Sequence, residues 1–235
     1  MPMLAAEKRK LEMENLKNER RKHIIECSFG LFAENGIENI SMNEIAAQAE
    51  IGVASLYRYF QTKEDLAIEV AIYAWQLEEK IFEKEFENND FNLLDGFEQV
   101  RTLLELFEAA VVSQRSFFRF VYYFDSFITK EEVPVEKLRP YERMVNSINA
   151  IVIDSFFKGR KDESIKFNDV DNFVISESND LEMCFTIMHS LFCVAQKLAI
   201  SGEILNMDRA VDGRRQIEIL INLLLEVIKG PKKRH

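Results

Sequence analysis

Ser41-Met42-Asn43-Glu44-Ile45-Ala46-Ala47-Gln48-Ala49-Glu50-Ile51-Gly52-Val53-Ala54-Ser55-Leu56-Tyr57-Arg58-Tyr59-Phe60 is the stretch that decides the fold. It opens on a capping box: the Ser41 hydroxyl can accept the amide proton three residues on while Glu44 reaches back to the serine amide. A short helix over 42–48, a turn through Glu50-Ile51-Gly52 and a second short helix over 53–59 follow, each of about two turns, the scale of a helix-turn-helix. Thr62-Lys63-Glu64-Asp65 repeats the capping device with a shorter acid and starts another helix. Two such short helices need a third to bury them, which His23 to Asn35 supplies. The small pair Ala46-Ala47 lets helices approach closely, with Ile45, Ala49, Ile51, Leu56 and Phe60 filling the space between.

Outward from this stretch the whole chain reads as helix. Only four prolines and eight glycines occur in 235 residues, and none of the prolines lies between Met3 and Val133. Apolar residues recur at helical spacing, as in Leu181, Phe185, Met188, Phe192 and Ala195, or Ile217, Leu220, Ile221, Leu224 and Ile228. The expected helices are 8–34, 42–48, 53–59, 63–87, 94–112, 115–128, 140–158, 180–201 and 208–228. The polar, acidic stretch from Gly159 to Asn179 is expected to be a loop or a short helix.

Composition sets the remaining bounds. With 47% hydrophobic and 30% charged residues the chain can bury a substantial core. Thirty Lys and Arg against forty Asp and Glu give a net charge of −10, so nucleic-acid binding must come from a local basic surface. Between residues 16 and 63 the balance is neutral: Lys17, Arg20, Arg21, Lys22, Arg58 and Lys63 against Glu19, Glu26, Glu34, Glu38, Glu44 and Glu50. Three scattered cysteines fit free thiols in a reducing compartment, and the charged N-terminus and the lack of eighteen consecutive apolar residues predict a cytoplasmic protein that does not span a membrane. No nucleophile–base set, metal-ligand spacing or phosphate loop occurs and only three histidines do, so the expectation is no enzyme, no metal and no cofactor.

The residues Ile24-Ile25, Leu31-Phe32-Ala33-Glu34-Asn35-Gly36, Ser41 to Ala46, Gly52 to Phe60 and Lys63 to Leu66, in this order and spacing, resemble the DNA-binding domain of TetR-family (tetracycline-repressor-like) transcriptional regulators over roughly residues 20 to 70. The resemblance implies an all-α protein: an N-terminal three-helix helix-turn-helix domain over 1–66 with a helical extension, and a larger ligand-binding and dimerisation domain over 67–235. It departs from the family at Glu50, where a glycine is usual. A left-handed backbone there costs a non-glycine residue about 1 kcal/mol.

Carried over by position, the helix 53–59 would read the major groove. Val53, Ala54 and Ser55 would face base edges, Asn43 would reach one from the preceding helix, Ser41, Tyr57 and Lys63 would hold phosphates, and Arg58 and Tyr59 would serve either. The implied function is a regulator, most simply a repressor released from double-stranded operator DNA by a small apolar or aromatic effector. The alternative is a regulator-fold protein acting through a protein partner without operator binding. Phe118, Tyr122, Tyr123, Asp125 and His189 are the candidate ligand-binding residues, because the aromatics around 117–127 cover more than one helix face. Residues 180–228 are expected to form a homodimer interface, as the last two helices do in the family.

Overall fold

The computed structural model describes residues 5–88, 90–166, 180–201, 204 and 206–229. Its helices are α1 (Ala5–Asn35), α2 (Met42–Gln48), α3 (Val53–Tyr59), α4 (Lys63–Asn88), α5 (Gly96–Ser113), α6 (Arg115–Lys130), α7 (Val135–Lys161), α8 (Asp180–Ser201), α9 (Asn206–Arg209) and α10 (Gly213–Ile228). The all-helical fold expected from proline scarcity and apolar spacing is what forms. The one extended pairing among the described residues is an antiparallel bridge between Ile165 and Lys229, with Lys166 N donating to the Ile228 carbonyl at 3.1 Å.

Three boundaries differ from the sequence reading, each for a local reason. α7 begins at Val135 and carries Pro140 inside it. Only one turn precedes the proline, so a single missing backbone bond is lost near an end already short of partners. The expected helix 208–228 is two: α9 stops at Arg209, and Asp212 caps α10 by accepting from Arg214 N at 2.8 Å, with Gly213 following. The gap from Gly159 to Asn179 begins as the last turn of α7 and continues as a turn through Asp162 to Ser164; residues 167–179 lie outside the described set.

Contacts divide the chain into two units, Met1–Trp75 with Phe120–Tyr141, and Gln76–Arg119 with Glu142–His235. The first is built around Ile24, Phe32, Ile45, Leu56, Phe60 and Leu66, all buried, with Phe120, Phe124 and Phe127 of α6 added. Phe120 contacts Phe29 at 5.4 Å between ring centres, and Phe124 contacts Tyr141 at 4.8 Å. Burial, the nearby Asp125 charge and a hydrogen bond from the Trp75 side chain act together on the Tyr141 hydroxyl, and the first two prevail, raising its pKa.

The second unit packs Phe97, Val100 and Leu104 of α5, Phe156 of α7, Cys184, Ile187 and Leu191 of α8, and Ile217, Ile221 and Leu225 of α10 into one core. Phe117 and Phe118 belong to this unit and are buried. The aromatic crowding of α6 is thereby absorbed by two cores. α5 and α7 meet backbone to backbone at Gly96 and Gly159, and a Cβ on Gly96 would overlap the Gly159 backbone. The last residues of this contact cap α5, since Asp162 accepts from Gly96 N at 2.9 Å and Ser164 from Phe97 N at 3.0 Å. α8 is the one helix among the described residues long and apolar enough to cross a membrane by length and composition. Its buried residues Cys184, Ile187, Leu191, Ala195 and Ala199 recur at helical spacing, as on a core helix.

Candidate nucleic-acid interface

The first unit holds α2 and α3 as the sequence pattern requires. Glu44 N donates to Ser41 Oγ at 3.2 Å while Ser41 N donates to Glu44 Oε2 at 2.7 Å, so the capping box is complete. The Ser41 hydroxyl also donates to Glu44 at 2.6 Å, and these bonds hold the carboxyl below its ordinary pKa. Between the helices Glu50 has φ of +52°, the left-handed conformation that favours glycine. Ile51 N reaching the Ala46 carbonyl at 2.9 Å closes the turn.

α3 buries Leu56 and is stopped by Phe60, which is also buried. This fixes its outward side: Ala54, Tyr57 and Arg58, at i, i+3 and i+4, are exposed, Tyr57 at 48%. Val53, Ser55 and Tyr59 flank them half-buried, and Asn43 and Ser41 are exposed at the start of α2. Arg58 donates to the Ser55 hydroxyl at 2.7 Å, which binds two of the candidate contact residues to each other. The remaining N–H groups of the Arg58 guanidinium stay available to a phosphate or base edge.

Lys63 is placed differently from the simple phosphate contact expected of it. Its ammonium donates to the Glu38 carbonyl at 3.2 Å and lies 5.7 Å from the centre of the Phe127 ring. Desolvation lowers its pKa, against the raising influence of Glu131, Glu64, Glu38 and Glu44. The side chain therefore also fastens the α1–α2 loop. Glu38 itself accepts from Lys130 at 2.7 Å, and Gly36, at φ of +81°, lets that loop turn with the Tyr123 ring against it.

Arg21 on α1 is held within the first unit. Its guanidinium sits 4.7 Å from the centre of the Phe60 ring and pairs with Glu69 at 2.9 Å, tying α1 to the end of α3 and to α4.

The candidate ligand-binding residues divide between the units. Tyr122 and Asp125 are exposed and Tyr123 half-buried in the first, the two tyrosine rings 5.6 Å apart. Phe118 in the second is buried against Phe107 and Phe192, at 5.6 and 5.7 Å, and His189 is exposed beside Phe185. A cavity of about 350 Å³ in the second unit is lined by Leu198, Asp208, Arg209, Val211, Asp212, Gly213 and Gln216 and includes none of the five. Glu78 on α4 escaped the sequence reading. It is 4% exposed, and no hydrogen bond or ion pair partners it among the described residues, so burial raises its pKa to about 7.

Residues 24–70 match the family model described as bacterial regulatory proteins, tetR family. A helix-turn-helix transcriptional regulator from Staphylococcus aureus strain bovine RF122 / ET3-1 is 50% identical over 52 residues, 22% of this chain and 28% of that protein. Another from strain USA300 is 52% identical over 48 residues, 20% of this chain and 26% of that protein. The chain thus spans only about a quarter of the length of these relatives in the match. A TetR-family regulator from Agrobacterium tumefaciens aligns with a TM-score of 0.65 at 16% identity, over 91% of this chain and 99% of that one. A regulator from Saccharomonospora viridis in complex with choline gives 0.63 at 16%, over 91% and 100%. The ketosteroid regulator KstR2 of Mycobacterium tuberculosis gives 0.60 at 14%, over 90% and 96%. At these identities the structures speak for the fold.

Proposed function

We propose that this chain, whose residues 24–70 match the family model of bacterial regulatory proteins, tetR family, is a DNA-binding transcriptional regulator whose α3 enters the major groove. The observation that carries the reading is the outward side of α3: Ala54, Tyr57 and Arg58 stand exposed on a helix whose opposite side is fixed in the core by Leu56 and Phe60. Arg58 and Tyr57 supply backbone or base-edge contacts, and Ala54 with Val53 supplies apolar contact to thymine methyl groups. Ser41, Asn43, Ser55, Tyr59 and Lys63 complete the interface. The test is binding to duplex DNA selected from a random pool. Arg58→Ala and Tyr57→Ala each weaken binding at least about tenfold, in line with the loss of one good contact. Unchanged binding by both places the interface elsewhere and favours action through a protein partner.

The regulator works as a homodimer through residues 180–228. α10 carries two apolar stripes: Ile217, Ile221, Leu225 and Ile228 are buried in the second unit, while Ile219, Leu223 and Val227, at i, i+4 and i+8, are exposed, with Leu223 at 62%. An exposed stripe of that spacing on a terminal helix suits an isologous helix pairing. In the repressor reading, a small organic effector binding the second unit lowers operator affinity. The choline complex and the ketosteroid regulator among the structural neighbours concern those proteins, and they support small organic ligands as the class. α4, α6 and α7 each contribute residues to both units and are the covalent routes for that coupling.

A further inference from the structure

α1 is 31 residues long, yet its first buried residue among those described is Ile24, so more than three turns precede the core. Residues 7–20 are all exposed. Nothing in the three-helix core requires these turns, which raises the question of what their surface fits.

One stripe of this segment carries basic residues and no acid, although Lys8 falls on the opposite side among the glutamates. Arg9, Met13, Lys17 and Arg20 recur at i, i+4, i+8 and i+11, one stripe of a helix. Lys10 flanks it on one side, with Glu14 at that border, while Glu12, Glu19 and Glu26 fall on the far side. Among the described residues no ion pair engages Arg9, Lys10, Lys17 or Arg20, in contrast to Arg21 and Lys22, which are paired with Glu69 and Glu26. The exposed apolar residues do not make a competing seam: Leu11 points away from Met13 and Leu16 by helical spacing.

The position of the stripe is set within the first unit. Arg21, the next residue after Arg20, is held over Phe60 at the end of α3, so the free turns of α1 leave from beside the proposed recognition helix. From Arg9 to Arg20 the helix extends about 17 Å, comparable to five base pairs of duplex at 3.4 Å each.

We propose that the α1 extension is a second, sequence-independent DNA contact, with Arg9, Lys17 and Arg20 placed against phosphates next to the bases read by α3. The inference rests on the DNA-binding reading above. It gathers Lys17 and Arg20, two cations of the neutral 16–63 segment, with Arg9 on one helix stripe, and affinity for duplex follows the number of phosphates neutralised.

The test uses the full chain carrying Arg9→Gln, Lys17→Gln and Arg20→Gln together, with wild type and Arg58→Ala alongside. The probes are a mixed-sequence 40-base-pair duplex and a duplex enriched by wild type from a random pool. Glutamine keeps helix propensity and all three sites are exposed, so far-UV circular dichroism and the urea midpoint stay at wild-type values. The triple variant loses at least about tenfold in affinity on both probes, and its dependence of log K on log salt flattens by about two to three units per protomer. Wild-type affinity and slope in the triple variant, with binding lost in Arg58→Ala, overturn the second contact and leave the recognition helix in place. Absence of salt-dependent binding by the wild type overturns both.

Discussion

Glu78→Gln tests the burial argument at its sharpest point. Glu78 is 4% exposed on α4 and its carboxyl rises from an ordinary 4.5 to about 7 through desolvation alone. A group whose folded pKa is raised keeps its proton in the folded state while the unfolded chain releases it, so stability falls as pH rises from about 4.5 through 7. At 1.36 kcal/mol per pKa unit, the change between those two values is worth about 3 kcal/mol. Glutamine is close in shape and never ionises. The variant and the wild type therefore differ by a constant well below pH 4.5, where both side chains are neutral, and the variant gains about 3 kcal/mol on the wild type by pH 8. The constant holds whatever the buried amide costs, about 1–3 kcal/mol if it finds no partner. Carboxyls elsewhere, such as Asp65 and Asp162 with lowered pKa values, titrate equally in both proteins and cancel. Urea unfolding followed at 222 nm at pH 5, 6, 7 and 8 reads the difference. A variant-minus-wild-type difference that stays flat across this range, or that moves against the variant, refutes the account of Glu78.

Gly96→Ala pushes a methyl group into the Gly159 backbone and lowers stability by about 1–3 kcal/mol or more, checked by the thermal midpoint. Glu50→Gly relieves the left-handed turn between α2 and α3 and raises stability by about 1 kcal/mol, read as a higher urea midpoint; a lower midpoint refutes the strain. Leu223→Glu, at an exposed position of α10, yields monomers in sedimentation analysis with the far-UV spectrum retained, and a persisting dimer moves the interface away from this stripe. Leu224 is a less clean site for that test because it also packs against the second unit's core.

The helix-turn-helix was legible because its signals are local. A capping box, a turn and the burial pattern of Ile45, Leu56 and Phe60 lie within twenty residues, and α2 and α3 form over 42–48 and 53–59 as read. α7 starts ahead of Pro140, where the proline suggests its boundary, because with only about one turn before it the proline costs a single backbone bond close to the helix end. The break before α10 depended on Asp212 as a cap, a signal present in the sequence but masked by the apolar periodicity on either side. The aromatic run on α6 covers more than one helix face because that helix feeds two cores. Glu78 left a trace: Ala67, Ala71 and Ala74 are buried on α4, and Glu78 continues their spacing at i+11. A charge in an apolar stripe was the warning. The second role of Lys63 was beyond reach, since its partner, the Glu38 carbonyl, lies 25 residues away and is set by the fold.

Selection of duplexes from a random pool by the wild-type protein tests the central claim most directly. A dimer presenting two copies of α3 enriches a two-fold symmetric sequence whose half-sites are spaced by about one turn of DNA, roughly 34–36 Å, or a multiple of it, and Arg58→Ala abolishes the enrichment. Recovery of unenriched, unsymmetric sequence with no difference between wild type and Arg58→Ala would contradict the assignment of α3 as the DNA-reading helix.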